Sequence, residues 1–224
     1  MATHTKFLGV MLREDLTWNE HLKVLLSKIT QNFGVVRKLS YTLPSCIITK
    51  LYNALILPYT DYWNIVWATH PSTLLDKLYR IQRKSVRILT NSDRKAHAAP
   101  LFRQVGILKV YDINKLQISC FVYKAMHHLL PPCFKDYFVL NSSIYNYNLR
   151  DNGNVKRYNS RTNVRFYCIK CYGLKSGMTL MPSLEILVVS MCLEGDWRIS
   201  IYFNMFNVLI VFWMLINGVF SKQK

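Results

Sequence analysis

The chain has 224 residues, of which 51% are hydrophobic and 18% are charged, so it carries enough apolar side chains for a packed core and falls outside the intrinsically disordered class. Its 29 lysines and arginines outnumber its 12 acidic residues, which gives a formal net charge of +17. Residues 172–224 hold 4 cations and 3 anions, so residues 1–171 carry +16 of that charge. A basic folded body of this kind is typical of proteins that bind a polyanion, either nucleic acid or an anionic membrane.

Sequence features that would indicate a metal or an enzyme active site are absent. The six cysteines are scattered, and the N-terminal MATHTKFLGV lacks the layout of a signal peptide, which predicts a reducing compartment. Cys168 and Cys171 form a C-x-x-C pair, but no second ligand pair follows at zinc-finger spacing. The phosphate-binding loop, dinucleotide, zinc-protease and serine-hydrolase motifs are also missing. We therefore predict no metal site and no catalytic residue, and the residues alone indicate a basic, mostly helical binding module.

The N-terminal part is predicted to open with a strand or hairpin arm and to continue as a long helix. KFLGVML is short, apolar and β-branched, which is typical of a strand. Thr17 and Glu20 have the spacing of a capping box at the start of the first helix. One apolar stripe then follows at steps of three and four residues, formed by Trp18, Leu22, Leu25, Ile29, Phe33 and Val36.

A second helix is predicted to begin at Pro44 and Ser45 and to break at Pro58. Its apolar face is formed by Ile48, Leu51, Leu55 and also Tyr52. Beyond the proline, the aromatic and apolar residues are expected to continue a helical stripe, formed by Tyr59, Tyr62, Trp63, Val66 and Trp67. Stripes at helical spacing are usually buried, so core packing is favoured over base stacking for these aromatics.

The third predicted helix, which contains LLDKLYRIQRKSVRILT and runs to about Thr90, carries the most informative pattern. Its cations fall at positions i, i+3, i+7 and i+10 with one more beside them, and they are Lys77, Arg80, Lys84, Arg87 and Arg83. Its apolar face is predicted to consist of Leu74, Leu78, Ile81 and Ile88. Only Asp76 offsets the cations, and same-sign neighbours at this spacing repel each other. These cations either form a solvated surface or contact phosphates, and we favour phosphate contact. Arg94 and Lys95 extend the basic patch into a loop.

The rest of the chain is predicted to contain one further helix, a loose extension and an apolar tail. The fourth helix is expected from about Asp112 to His128. Residues 141–165 are rich in Asn, Tyr and Arg with little periodicity, which suits either single-stranded nucleic acid or a plain linker. The run from Ile199 to Phe220 carries no charge and is long enough to cross a bilayer, although three asparagines lie inside it.

Six segments, taken in order, resemble the C-terminal part of the reverse transcriptases of non-LTR retrotransposons (LINE, jockey-like elements). The resemblance covers residues 6–173 and rests on FLGVMLREDLTWNEHL, VVRKLSYTLP, LYNALILPYTDYWNIVW, LDKLYRIQRKSVRILT, PLFRQVGILKVYDINKLQISCFVYK and LPPCFKDYF. The chain departs from the family pattern at Arg13, Trp63 and Ala68, where the family usually has Asp, Cys and Gly.

The resemblance implies a role for two parts of the chain. Phe7, Leu8 and Gly9 are similar to the primer grip, which orients the primer 3′ end, and the helices that follow resemble the thumb, which lies against the template-primer duplex. The basic helix would then contact phosphates. The fingers and the palm, whose aspartates bind Mg²⁺ in the family, would precede Met1, so this chain is expected to be an inactive fragment with no cofactor of its own.

The tail has an explanation other than a membrane anchor. Where the family continues with G-P-K-x-W-N and an arginine-rich helix, this chain reads GLKSGMTLMPSLEILVVSMCLEGDWRISIY. Reverse translation with permitted codons, read from the third base, gives PKVWNDINAFIRNSCSINVFRRRLENIY, which is the missing family segment. We therefore expect that one base was lost at the codon of Gly173 and that the apolar tail is translated out of frame.

The sequence thus predicts a mainly α fold: a helical thumb-like bundle with a short N-terminal strand or hairpin, a loose basic extension and a hydrophobic C-terminal helix. The expected parts are a primer-grip remnant (1–16), a thumb-like domain (17–140), a basic extension (141–172) and the out-of-frame tail (173–224). The expected partners are an RNA/DNA template-primer duplex and the palm and finger domains of the parent enzyme. The parent element would act in the nucleus or cytoplasm.

Two other readings of the sequence stay open. The first is a single-pass membrane protein with a basic soluble domain, in which residues 201–220 cross the bilayer. The second is an RNA-binding module that a host genome has adopted.

Overall fold

The computed structural model describes residues 4–15, 17–69, 73–134, 137–139, 141–144, 155–156, 158–159, 161, 169 and 171–172. Within these residues the fold is mainly α with a two-stranded antiparallel hairpin at the N-terminus, which confirms the predicted class. The elements in chain order are β1 (His4–Phe7), β2 (Val10–Arg13), α1 (Asn19–Leu39), α2 (Ser45–Leu55), α3 (Leu57–Asp61), α4 (Asn64–Trp67), α5 (Thr73–Leu89), α6 (Ala98–Val105) and α7 (Val110–Met126), followed by 3-10 helices at Pro132–Phe134 and Asn141–Ser143.

The chain divides into two compact units, Met1–Asn114 and Lys115–Lys224. The first unit contains the hairpin and the helices α1 to α6, and the division falls within α7. In the predicted extension, the Lys156 N–H donates to the Val139 carbonyl at 2.8 Å. Most of that extension and the whole predicted C-terminal helix lie outside the described residues, as does the proposed frameshifted segment.

The hairpin has a two-residue turn and is anchored on α1. Phe7 lies opposite Val10 in the antiparallel register. Leu8 and Gly9 form the turn with φ angles of 44° and 83°, the sign that a type I′ hairpin requires at both central positions. Val10 is fully buried and β2 packs against α1. One buried strand residue therefore anchors the hairpin on the helices.

The predicted capping box at the start of α1 is wrong. The Thr17 hydroxyl and the Thr17 N–H both donate to Oδ1 of Asp15, at 2.8 and 3.0 Å, whereas Glu20 forms an ion pair with Lys23 at 2.7 Å. These hydrogen bonds lower the pKa of the Asp15 carboxyl. Asp15 thus forms a local turn with Thr17. Helix α1 begins at Asn19 with Trp18 as its N-cap, so Thr17 and Glu20 do not stand at the N-cap and N3 positions that a capping box requires.

The apolar stripe predicted for α1 forms the side of that helix that faces the core. Its central residues Leu22, Leu25, Ile29 and Val36 are buried, and the flanking Trp18 and Phe33 are half-buried. The helix packs against α5, α2 and β2. The periodic pattern therefore identified the buried face correctly.

The aromatic segment after α2 is not one continuous helix. The chain forms two short helices, α3 and α4, which are separated at Trp63, whose φ of 57° is left-handed. The Trp67 indole N–H donates to the Tyr62 carbonyl at 2.8 Å and closes this break. Trp63 and Trp67 are 1% and 0% exposed. Core packing is thus confirmed for the two tryptophans, whereas Tyr59, Tyr62 and Val66 of the predicted stripe are half-buried, and the stripe is interrupted at Trp63.

Helix α5 has the predicted extent, but its buried face is rotated from the predicted one. The buried residues are Leu75, Leu78, Gln82, Ser85, Val86 and Leu89. Of the predicted apolar face, Leu78 is buried, whereas Leu74, Ile81 and Ile88 are only half-buried. The cause is that α5 buries two polar residues, Gln82 and Ser85, whose hydrogen-bonding groups are satisfied. A pattern of apolar residues cannot predict such buried polar positions.

Gln82 is the buried polar residue that ties α5 to the start of α7. Its Nε2 donates to the Leu108 carbonyl at 2.7 Å, and its Oε1 accepts from the Val110 N–H at 3.0 Å. Val110 is the first residue of α7, so its N–H has no partner within the helix and a side chain from another helix satisfies it. Nε2 also lies 3.5 Å from the Tyr52 hydroxyl on α2. One amide thus connects three helices.

Helix α6 was not predicted from the sequence. It has eight residues and ends at Gly106, whose φ of 70° is left-handed, with the Ile107 N–H donating to the Phe102 carbonyl at 3.1 Å. Pro100 near its start and Gly106 just beyond its end are signals that could have indicated it.

In the second unit, an aromatic cluster follows the end of α7. Phe121 contacts the rings of Phe134, Tyr137 and Phe138 edge-on, with centroid separations of 5.6 to 6.3 Å.

Helix α7 starts two residues before the predicted Asp112 and ends two residues before His128.

Replacing Gln82 by methionine should lower the free energy of unfolding by about 2 to 4 kcal/mol, because it leaves the buried Leu108 carbonyl and the Val110 N–H without partners at similar side-chain volume. Chemical denaturation of the full chain measures this. Gln31→Met, at an exposed position on α1, is the matched control and should change stability by less than about 0.5 kcal/mol. Equal stability of the two variants would contradict the role given to Gln82.

His21 makes the first unit sensitive to acid. It is 5% exposed, and neither ring nitrogen has a hydrogen-bond partner among the described residues. Its ring centroid lies 6.1 Å from that of Trp67. Burial, with a smaller contribution from the nearby Lys28 charge, lowers the His21 pKa to about 4. The unfolded chain therefore takes up this proton at higher pH than the folded chain does.

The free energy of unfolding should be highest above about pH 6.5 and fall by up to about 3 kcal/mol as the pH drops towards 4, because the unfolded state binds the additional proton in that window. Denaturation at a series of pH values tests this. His21→Leu should flatten the dependence, and Gln31→Leu, at an exposed position on α1, should leave it unchanged. A wild-type chain of constant stability between pH 6.5 and 4 would refute the assignment.

Candidate nucleic-acid interface

Three of the predicted contact residues form an exposed strip on α5, which we call the cationic arc: Lys77, Arg80 and Lys84. All three are exposed. At 100° per residue they lie on the side of α5 opposite to its buried face. The ion pairs between described residues are Arg13–Asp15 and Lys23–Glu20, so no described acid neutralises the arc. The arc therefore presents three like charges to solvent.

Asp76, the acidic residue of α5, is directed to another helix. Its Oδ1 accepts a hydrogen bond from the Tyr111 hydroxyl of α7. Burial raises the pKa of Tyr111 to about 12, and the hydrogen bond and negative charge of Asp76 add to this. The tyrosine stays protonated as a donor at neutral pH, and the contact joins α5 to the first turn of α7.

Arg83 and its neighbours form an aromatic cluster on the flank of α5. The Arg83 guanidinium carbon lies 5.4 Å from the centre of the Tyr79 ring. Tyr79 stacks on Phe102 at 6.2 Å and meets Tyr111 edge-on at 5.5 Å. Arg83 is half-buried, and its Nε has no hydrogen-bond acceptor among the described residues. Arg83 thus packs on a ring through a cation–π contact, and it is a weaker candidate for a phosphate contact than the exposed arc.

Arg87 also makes its hydrogen bond within the protein. It is half-buried, and its Nε donates to the Ala96 carbonyl at 2.9 Å. Two residues beyond the end of α5, Asn91 is left-handed, with φ of 50°. The Ser92 N–H returns to the Arg87 carbonyl at 2.9 Å, as in a Schellman motif. The loop that follows exposes Arg94 and Lys95.

The second predicted part of the site, Phe7 to Gly9, lies at the hairpin turn. Leu8 is 46% exposed, and its carbonyl accepts a hydrogen bond from the Tyr62 hydroxyl at 2.7 Å. A side chain at Gly9 would meet the Tyr62 ring at an ordinary 3.8 Å. The hairpin and α5 both pack against α1, which links the two parts of the predicted site. The role of Tyr62 was missed, since no sequence signal pairs residues 54 positions apart.

Metal-ligating side chains do not cluster in the described residues. No group of three or more His, Cys, Asp or Glu side chains that could hold a metal ion occurs among them. Cys171 is buried, and Cys168 lies outside the described residues. No helix in the described part of the chain combines the length and the apolar character needed to cross a bilayer.

Comparisons with known proteins give no assignment. No family model, curated protein sequence or solved structure matches the chain.

Replacing Leu8 by asparagine should raise the free energy of unfolding by about 1 kcal/mol, because a left-handed conformation is unfavourable for leucine and asparagine tolerates it. Gly9→Ala at the neighbouring turn position should have the opposite sign, since its φ is also positive. Thermal or chemical denaturation measures both changes. Destabilisation by Leu8→Asn would show that the leucine side chain makes a contact that outweighs the backbone preference.

Proposed function

We propose that the first unit binds the sugar-phosphate backbone of a nucleic-acid duplex through the cationic arc of α5, as the thumb region of a non-LTR retrotransposon reverse transcriptase. The observation that carries the proposal is the arc itself: Lys77, Arg80 and Lys84 are exposed, unneutralised by any described acid and opposite the buried face of their helix. The resemblance described above supplies the family, and RNA-directed DNA synthesis is the activity of that family.

The arrangement favours an external anion on energetic grounds. Like charges three and four residues apart on a helix destabilise it by a few tenths of a kcal/mol per pair. A bound phosphate chain removes that repulsion, and release of its condensed counterions adds a favourable entropy. The distance along the helix axis from Lys77 to Lys84 is about 10 Å. The arc can therefore follow several phosphates of one strand.

The chemistry of the arc indicates a contact that does not depend on base sequence. Lysine and arginine side chains on a solvent-facing helix reach phosphates, and such contacts position a duplex without reading it. Base stacking needs exposed aromatic rings; Trp63 and Trp67 are buried in the core, and the exposed Tyr41 lies beyond the end of α1, outside the helix that carries the arc. The proposal therefore assigns backbone binding to this unit and no catalytic residue to the chain.

An anionic membrane is the competing partner for the same charges. The uncharged run Ile199–Phe220 favours it, and this run lies outside the described residues. Attraction of basic residues to anionic lipid is also screened by salt, so affinities for anionic vesicles and for the duplex, compared at equal salt, separate the two partners.

The triple variant Lys77→Gln, Arg80→Gln and Lys84→Gln should weaken binding of the full chain to an RNA–DNA hybrid duplex. Three lost phosphate contacts should reduce the slope of log affinity against log salt by about 2 to 3. Fluorescence anisotropy of a labelled hybrid, measured from about 50 to about 200 mM salt, gives the slope.

The matched control changes three exposed cations elsewhere in the first unit, Arg37→Gln, Lys38→Gln and Lys50→Gln, and alters the net charge equally. Its slope should change by less than about 1. Equal losses in both triple variants would show that net charge alone attracts the duplex. Tighter binding to phosphatidylserine vesicles than to the hybrid at equal salt would favour the membrane alternative.

A further inference from the structure

Arg87 lies at the same angular position on α5 as the cationic arc but is used differently from it. A helical projection places it within 20° of Arg80, and the sequence pattern therefore groups the two. The structure separates them: Arg80 is exposed, whereas Arg87 is half-buried and donates from Nε to the carbonyl of Ala96. Its hydrogen bond spans the loop between α5 and α6.

That loop is fixed at several points. At its start, the hydroxyls of Thr90 and Ser92 hydrogen-bond at 2.8 Å, next to the left-handed Asn91. In its middle, the Ala96 N–H donates to the Asp93 carbonyl at 3.0 Å. At its end, α6 begins with the buried Ala98. Arg87 adds the contact that binds the loop back to the last turn of α5.

The two residues between these fixed points are cations. Arg94 and Lys95 are both exposed, and no described acid forms an ion pair with either. A loop that is held in one conformation presents its charges at a lower entropic cost than a mobile loop does, since the ordering has already occurred before a ligand binds.

We propose that Arg87 is a positioning residue: by holding the Ala96 carbonyl it keeps Arg94 and Lys95 in place, so that the phosphate-binding surface of α5 continues beyond the end of the helix. This inference rests on the proposed function. It assigns the direct phosphate contacts to five residues, namely Lys77, Arg80, Lys84, Arg94 and Lys95.

The test is a double-mutant cycle between Arg87 and the loop cations, measured on the full chain with the labelled RNA–DNA hybrid. Arg94→Gln with Lys95→Gln should reduce the slope of log affinity against log salt by about two contacts, or about 1.8. Arg87→Gln should lower the affinity at a fixed salt concentration towards that of the loop variant, because the released loop that carries both cations must then be ordered on binding. Combining all three changes should give little further loss.

Two controls make the cycle specific. Arg80→Gln removes one direct contact, so its slope should fall by about 0.9 and its effect should add to that of the loop variant. Amide hydrogen exchange of a peptide spanning residues 90–97 should be faster in Arg87→Gln than in the wild type, and unchanged in Arg80→Gln. Arg87→Lys serves where Arg87→Gln folds poorly, since it keeps the charge and removes the guanidinium Nε donor.

The outcomes separate this inference from the proposed function. Additive losses at position 87 and in the loop, with unchanged exchange of residues 90–97, would overturn the positioning role while leaving duplex binding by α5 intact. A wild-type chain whose affinity for the hybrid does not depend on salt would overturn the proposed function and this inference together.

Discussion

The pair of hydrogen bonds between the buried amide of Gln82 and the backbone of Leu108 and Val110 fixes how the first unit is assembled. A fully buried amide is tolerated only when its donor and acceptor are both satisfied, so α5 can occupy this position only while the segment before α7 lies against it. The same helix presents its cations on the opposite side. The contact in the core therefore sets the orientation of the charged surface.

The five cationic side chains of α5 have different environments despite their common spacing. Lys77, Arg80 and Lys84 remain in solvent, Arg83 packs on an aromatic ring and Arg87 closes a loop. Arginine suits the last two roles because its planar guanidinium stacks on rings and keeps donors for carbonyl groups when partly buried. An arginine-to-lysine exchange would consequently be tolerated better at position 80 than at positions 83 and 87.

Much of the fold could be predicted from the sequence because its long helices have a clear apolar period. The pattern that begins at Leu22 identified both α1 and its buried face, and the cationic side of α5 was equally visible. Tertiary contacts decided the rest. From the sequence alone, Gln82 is expected to lie at the surface, because its partners are on another segment of the chain. The left-handed position at Trp63 is also not predictable, because neither glycine nor asparagine occupies it. The capping box failed because α1 begins one residue later than its spacing predicts, with Trp18 as the N-cap.

The hydrogen bond from Tyr62 to the turn at Leu8 spans 54 residues of chain. Bringing two such distant segments together costs loop-closure entropy that nearby helix contacts do not require, and the hairpin offers only a short strand and one fully buried valine in return. The hydrogen bond between Tyr62 and Leu8 should therefore form late in folding, after the turn between α3 and α4, although the hairpin lies close in sequence to α1, against which it packs. In the native state the hairpin would be the part of the first unit that opens at the lowest free energy, so the N-terminal strands should lose amide protection while the helices keep it.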